Sequence, residues 1–248
     1  LANYALYQVR ELETAVDADC EALAGFARSL GFSIPEDHRS AGEWGVVALS
    51  PSSAPAKKGF IPYTTRPLNW HTDGYYNPGS HPVKAFILHC HQQSATGGEN
   101  QLADPEVAYL RMREANPDFV RALMHPEAMT IPENREPDGS LRPASVGPVF
   151  FADDISGRLQ MRYTARTRSI EWRQDRATEQ ARTWLSEWLQ GDDPLIRKVR
   201  LEPGQGLVCN NVLHNRTGFD DGSEVESARV ILRVRFHERL SEDLNGTA

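Results

Sequence analysis

Cysteine is scarce: Cys20, Cys90 and Cys209 are the three in 248 residues, and no two form a C-x-x-C pair. That argues against a disulfide framework and against a cysteine-held structural zinc. The thiols are expected to act as small hydrophobes, in a reducing cytoplasm. Positive charge is also short. Lys and Arg number 27 against 34 Asp and Glu, a net −7, where a nucleic-acid partner would want a basic face. No apolar run approaches the roughly 18 residues of a membrane span, and the first residues show no signal-peptide pattern. Internal repeats and low-complexity tracts are absent. The remainder is ordinary, 40% apolar and 25% charged, and suits one domain over 1–248 with a large buried core.

Apolar periodicity supplies the elements. Leu12, Val16, Cys20, Leu23, Phe26 and Leu30 recur at three and four, predicting one amphipathic helix closed by Gly31. Residues 35–68 lack pattern and are rich in Pro, Ser and Lys; 50–68 reads either as a lid over a site or as a surface connection. Within it, Arg66 is either an anion contact or a solvated side chain. Residues 83–91 read as a buried strand carrying His89 and His91 on one face. Asp104-Pro105-Glu106 and Asn116-Pro117-Asp118 each pair a capping side chain with Pro at the first helical position. They predict helices at 105–115 and 117–124, a surface insertion spanning about 105–125. Strands follow at 149–151 and 159–163. Ala177, Ala181, Trp184, Leu185, Trp188 and Leu189 then mark a helix over 175–189, and a strand is expected at 196–201.

The chemistry concentrates in Asn69-Trp70-His71-Thr72-Asp73. Side chains two apart on an extended segment point the same way, so His71 and Asp73 converge on one point. His214 is the best third ligand. Two His and one carboxylate on one face leave a metal's other positions open, as in non-haem Fe(II) oxygenases. His89 and His91 are internal rivals, or else hydrogen-bonded sheet histidines. On the last strand Val230, Leu232, Val234 and Phe236 alternate with Arg229, Ile231, Arg233 and Arg235. If the apolar set packs outward under helices, Arg229 and Arg233 become interior charges, and interior charges need partners.

His71-x-Asp73, Gly97-Gly98-Glu99-Asn100, the late His214 and the late Arg229, taken in order, resemble the Fe(II)/2-oxoglutarate dioxygenases of the taurine dioxygenase (TauD/TfdA) branch, over roughly residues 60–236. The resemblance implies a mainly β fold with flanking helices around a double-stranded β-helix (jelly roll, cupin-like) core. It also implies Fe(II) on His71, Asp73 and His214, and 2-oxoglutarate seated by Arg229. Asn100 stands where the family has a Thr that bonds the cosubstrate carboxylate, and Asn can donate a similar bond. The expected reaction hydroxylates an unactivated C–H bond with O2, releasing succinate and CO2; ascorbate is an expected aid. Arg233 matches the substrate-anion position of the taurine enzyme. However, Pro67 replaces that enzyme's substrate-contacting Asn, so a small carboxylate-bearing metabolite (amino acid, betaine or related) is the preferred substrate. Trp70, Tyr75 and Tyr76 are pocket candidates or core. Arg162, Tyr163 and Arg166 are pocket candidates by resemblance to carnitine-pathway relatives, or a solvated face. A homo-oligomer is compatible with this reading. Two rivals stay open: a mononuclear zinc hydrolase on the same ligands, and a non-catalytic jelly-roll protein that binds a small acid.

Overall fold

The structure, a computed structural model, describes residues 3–9, 15–37, 41–42, 44–54, 57, 59–136, 139–222 and 228–240. Leu12 of the first expected helix lies outside these residues, as do Pro55, Ala56 and Lys58 of the expected lid.

Two antiparallel sheets carry the architecture. Their strands in chain order are β1 (Tyr4–Gln8), β2 (Val47–Leu49), β3 (Leu68–His71), β4 (Ala85–Gln92), β5 (Asn100–Ala103), β6 (Arg197–Val199), β7 (Gln205–Cys209), β8 (Leu213–Arg216) and β9 (Val230–Phe236). The larger sheet runs β1-β7-β4-β9-β2 and the smaller β6-β5-β8-β3. Among the described residues four α-helices flank them: α1 (Val16–Ser29), α2 (Pro105–Ala115), α3 (Pro117–Leu123) and α4 (Arg176–Gln190). The expected caps form. The side chains of Asp104, Asn116 and Asp175 accept from the N–H groups of Glu106, Asp118 and Thr178, satisfying donors that a helix start leaves open.

Period-two alternation divides the larger sheet. Ala85 and Ile87 of β4 join Leu232, Val234 and Phe236 of β9 in a cluster with Leu23 and Ala27 of α1. The opposite faces place Phe86, Leu88, Cys90 and Ile231 in a second cluster that reaches Leu102 of the smaller sheet. The apolar set of β9 therefore lies under a helix, and its arginines face inward. The expected surface insertion is different in kind. Ala108, Met112, Val120 and Leu123 of α2 and α3 close on Ala181, Leu185 and Leu189 of α4, and together they cover Trp70 and Met161. Small and apolar positions on three short helices bury one another, which no single helix there could do alone. This helical layer forms a third core behind β3. Among the described residues no helix is long and apolar enough to cross a membrane.

Candidate metal centre

β3 and β8 are neighbours, and His71 stands directly opposite His214 across them. Their rings lie 4.2 Å apart. Asp73 follows β3 at the start of a turn, rather than on the continuous extended segment its spacing suggested. His71, Asp73 and His214 each offer a ligand atom within 4.8 Å of the others, and all three are buried. The Nδ1 of His71 lies 2.8 Å from the Asn69 carbonyl and that of His214 lies 2.9 Å from the Val212 carbonyl. A carbonyl only accepts, so each Nδ1 carries the proton and each Nε2 keeps its lone pair, the tautomer a metal ligand needs. Burial, then the neighbouring His214, hold the His71 pKa down to about 3, and burial likewise lowers His214. Both imidazoles are thus neutral at physiological pH. Burial alone would raise the Asp73 pKa, but Arg233 and Arg235 outweigh it and hold the carboxyl well below its usual range.

Arg233 donates from Nη1 to both Asp73 oxygens, at 3.1 and 3.3 Å. Arg235, two residues on and on the same face, pairs with Glu36 and donates to the Tyr76 hydroxyl at 3.1 Å. Asn211 adds support that the sequence reading missed. Its amide Oδ1 accepts from the Asp73 N–H, and its Nδ2 donates to the carbonyls of Asp73 and Val83. Its one available signal was an Asn three residues before the late His.

A second polar cluster adjoins the centre. Arg229 is 4% exposed and its Nε donates to Gln93 Oε1 at 3.3 Å. A Cβ on Gly98, at φ +77°, would sit 3.1 Å from that Nε; one on Gly97 would sit 2.3 Å from the Gly218 carbonyl. The Gly-Gly pair is thus the cradle that lets the turn pass beside Arg229. Asn100 donates from Nδ2 to the Asn215 carbonyl, while its buried Oδ1 has no partner. A buried guanidinium, a side-chain oxygen without a partner and a backbone cradle fit a small carboxylate.

The other expected site residues divide. The Tyr75 ring lies edge-on to His71 at 6.4 Å, and its hydroxyl accepts from Arg166 at 3.3 Å. Tyr75 and Tyr76 pack edge to face at 5.2 Å. Trp70 neighbours His71 on a strand, so it points to the other face, into the helical core, where Tyr163 also lies. Arg162 is bound to Ser145 and to the carbonyls of Met129 and Gly147. His89 and His91 face away from the centre, under α1, where Asp19 lies 2.6 Å from His91 Nδ1 and 3.7 Å from His89 Nε2. They are sheet histidines with partners. The 50–68 segment is pinned at its far end by Arg216, whose Nη2 donates to the carbonyls of Thr64 and Arg66. Arg66 itself contributes that backbone oxygen.

With this geometry in hand, comparison with known proteins gives one family. The profile described as "Taurine catabolism dioxygenase TauD, TfdA family" matches residues 1–235. A uridine-5'-phosphate dioxygenase from Amycolatopsis sp is 30% identical over 180 residues, 71% of this chain and 62% of that one. The Homo sapiens gamma-butyrobetaine dioxygenase is 23% identical over 175 residues, 66% of this chain and 43% of that one. Each match thus spans less than two thirds of the relative's length. Among solved structures, non-heme iron oxygenase OrfP in complex with Fe, succinate and (3S)-hydroxy-L-Arg aligns with a TM-score of 0.69 at 13% identity, covering 99% of this chain and 80% of that one. A taurine dioxygenase from Burkholderia xenovorans aligns with a TM-score of 0.60 at 18% identity, covering 94% and 76%. At these identities the likeness is one of fold.

Proposed function

Because this chain belongs to the TauD, TfdA family, we propose that it is an Fe(II)- and 2-oxoglutarate-dependent dioxygenase that hydroxylates a small anionic metabolite. The carrying observation is the buried His71–Asp73–His214 cluster, with ligand atoms within 4.8 Å of one another. We further read the chain as one domain whose two main sheets are the halves of a double-stranded β-helix, with 50–68 as its lid. We assign the reaction to the cytoplasm, in keeping with three free thiols.

In this reading His71, Asp73 and His214 hold the iron, with both imidazoles presented as neutral donors through Nε2. Bound Fe(II), 2-oxoglutarate and O2 together supply the C–H oxidation and release succinate and CO2. Arg229 seats the far carboxylate of the cosubstrate, because a guanidinium fork matches a carboxylate in two charge-assisted bonds. Asn100 stands beside it. Arg233 orients Asp73 and offers its cationic face to the substrate's anionic group. Tyr75 and Tyr76 wall the mouth, with Arg166 reaching the Tyr75 hydroxyl from outside. Trp70, Arg162 and Tyr163 form the wall behind the site, and the Tyr163 backbone also exchanges hydrogen bonds with Thr72, between His71 and Asp73. A carboxylate-bearing amino acid, betaine or similar metabolite is the preferred substrate; the names of the relatives add phosphate-bearing nucleotides to the panel.

Anaerobic addition of Fe(II) and 2-oxoglutarate should give a weak visible charge-transfer band. Under air with ascorbate, succinate release should rise with one member of a panel of amino acids, betaines, sulfonates, phosphonates and nucleotides. Zinc-dependent hydrolysis without the band favours the hydrolase instead. Cosubstrate binding with no succinate from any member favours a non-catalytic binder.

A further inference from the structure

Arg216 stands two residues beyond His214 on β8, directly across from Asn100 on β5. Its guanidinium lies 4.8 Å from the centroid of the Phe219 ring, and that of Arg229 lies 5.1 Å from the same centroid. The two cations are 6% and 4% exposed. Among the described residues neither guanidinium takes part in a salt bridge. Like charges gathered in a water-poor space repel; one aromatic ring, a few carbonyls and the Asp221 carboxylate beside Arg229 offset that only in part. The hydrogen bonds of Arg216 are also one-sided. Nη2 serves the Thr64 and Arg66 carbonyls, whereas the buried Nε has no partner, and neither does the buried Oδ1 of Asn100 opposite. Such atoms in folded proteins are generally completed by a ligand or a water. An anion with several lone pairs completes two guanidiniums at once.

Resting on the dioxygenase reading, we propose that Arg216 is a second cationic anchor for the far carboxylate of 2-oxoglutarate, and that it ties this carboxylate to the Thr64–Arg66 loop. The cosubstrate then bridges the two main sheets: Arg229, just before β9, on one side, and Arg216 at the end of β8 on the other. Its arrival also neutralises the guanidinium that holds the loop.

The test uses the full chain loaded with Mn(II) under anaerobic conditions, as wild type, Arg216→Met and Arg216→Lys. Titration calorimetry measures 2-oxoglutarate and 2-oxobutyrate, which lacks the far carboxylate; electron paramagnetic resonance measures Mn(II) itself. In Arg216→Met the affinity for 2-oxoglutarate should fall roughly ten- to a hundredfold, the range for a lost charged hydrogen bond. Arg216→Lys should recover part of it. Affinities for 2-oxobutyrate and Mn(II) should stay within about twofold. Equal losses for both oxoacids, or for the metal, would make Arg216 a structural clamp and overturn the proposal, as would unchanged 2-oxoglutarate binding. If Arg216→Met does not fold, Arg216→Lys decides: wild-type affinity for 2-oxoglutarate overturns it. A wild type that binds neither oxoacid removes the dioxygenase reading, and this proposal with it.

Discussion

Asn211 grips the backbone of Asp73 from both sides, accepting its N–H at 2.8 Å and donating to its carbonyl at 3.0 Å. The residue sits at φ 51°, a conformation that Asn tolerates better than most side chains. Asn211→Ala removes these bonds and the one to Val83, and strains the backbone. A loss of about 2–4 kcal/mol in urea unfolding is expected. Mn(II) affinity should fall roughly tenfold or more, although all three ligands remain. Unchanged metal affinity would show that Asp73 needs no such brace.

Gly97 and Gly98 should separate stability from cosubstrate binding. A Cβ on Gly97 meets backbone at 2.3 Å, whereas one on Gly98 meets side chains at 3.0–3.2 Å. Gly97→Ala should therefore lower the melting temperature clearly. Gly98→Ala should fold more readily but weaken 2-oxoglutarate binding by displacing Arg229. Equal melting temperatures for the two variants would contradict this ordering.

Arg229→Ala should raise the 2-oxoglutarate requirement strongly while Fe(II) binding survives. Loss of a buried charged partner costs on the order of 2–5 kcal/mol. Steady-state dependence on the cosubstrate measures it, and an unchanged requirement would remove Arg229 from that role.

His214→Ala should abolish turnover and metal binding. His91→Ala should leave the metal in place and instead loosen α1, because His91 meets Asp19 of that helix on the far face of the sheet. Melting curves with and without Mn(II) distinguish the two. Full activity in His214→Ala would reopen the choice of ligand.

Stability of the metal-free protein should fall on acidification. His71 and His214 stay neutral in the fold, whereas their ordinary value is 6.5. Below that pH the unfolded chain binds more protons than the native one, so stability drops as pH falls below about 6.5, for His71 down toward 3. Each such imidazole contributes roughly 1.4 kcal/mol per pH unit. Asp73, lowered in the fold, adds to the loss only below its ordinary value of 3.8. Thermal melts across pH 4–7 should slope; a flat profile would show that the imidazoles are not buried neutral.

Much of this was legible in the residues. Strand alternation set Arg229 and Arg233 opposite Leu232, Val234 and Phe236, and the expected helical cover over the apolar set then turned the arginines inward, because one buried face fixes the register of a strand. The clustering of His71, Asp73 and His214 was legible because a mixed nitrogen and oxygen metal site demands few residue types. Long-range closure was not. Asn211 and Arg216 act through backbone carbonyls and N–H groups distant in sequence, and nothing in residue type advertises such a partner. Short-helix packing was equally hidden: α2 and α3 each show a weak stripe, and only α4 reveals what they cover. Trp70 and Arg162 seemed available to a pocket because aromatic and basic side chains serve core and site alike.

The division of labour along β9 has a consequence for how this chain tolerates change. One added residue between 229 and 236 would rotate everything beyond it to the opposite side. Guanidiniums would be driven into the seam beneath α1, and Val or Leu would be set against Asp73. Point substitutions there should be graded in effect, whereas a single-residue insertion should cost both the packing under α1 and the support of Asp73.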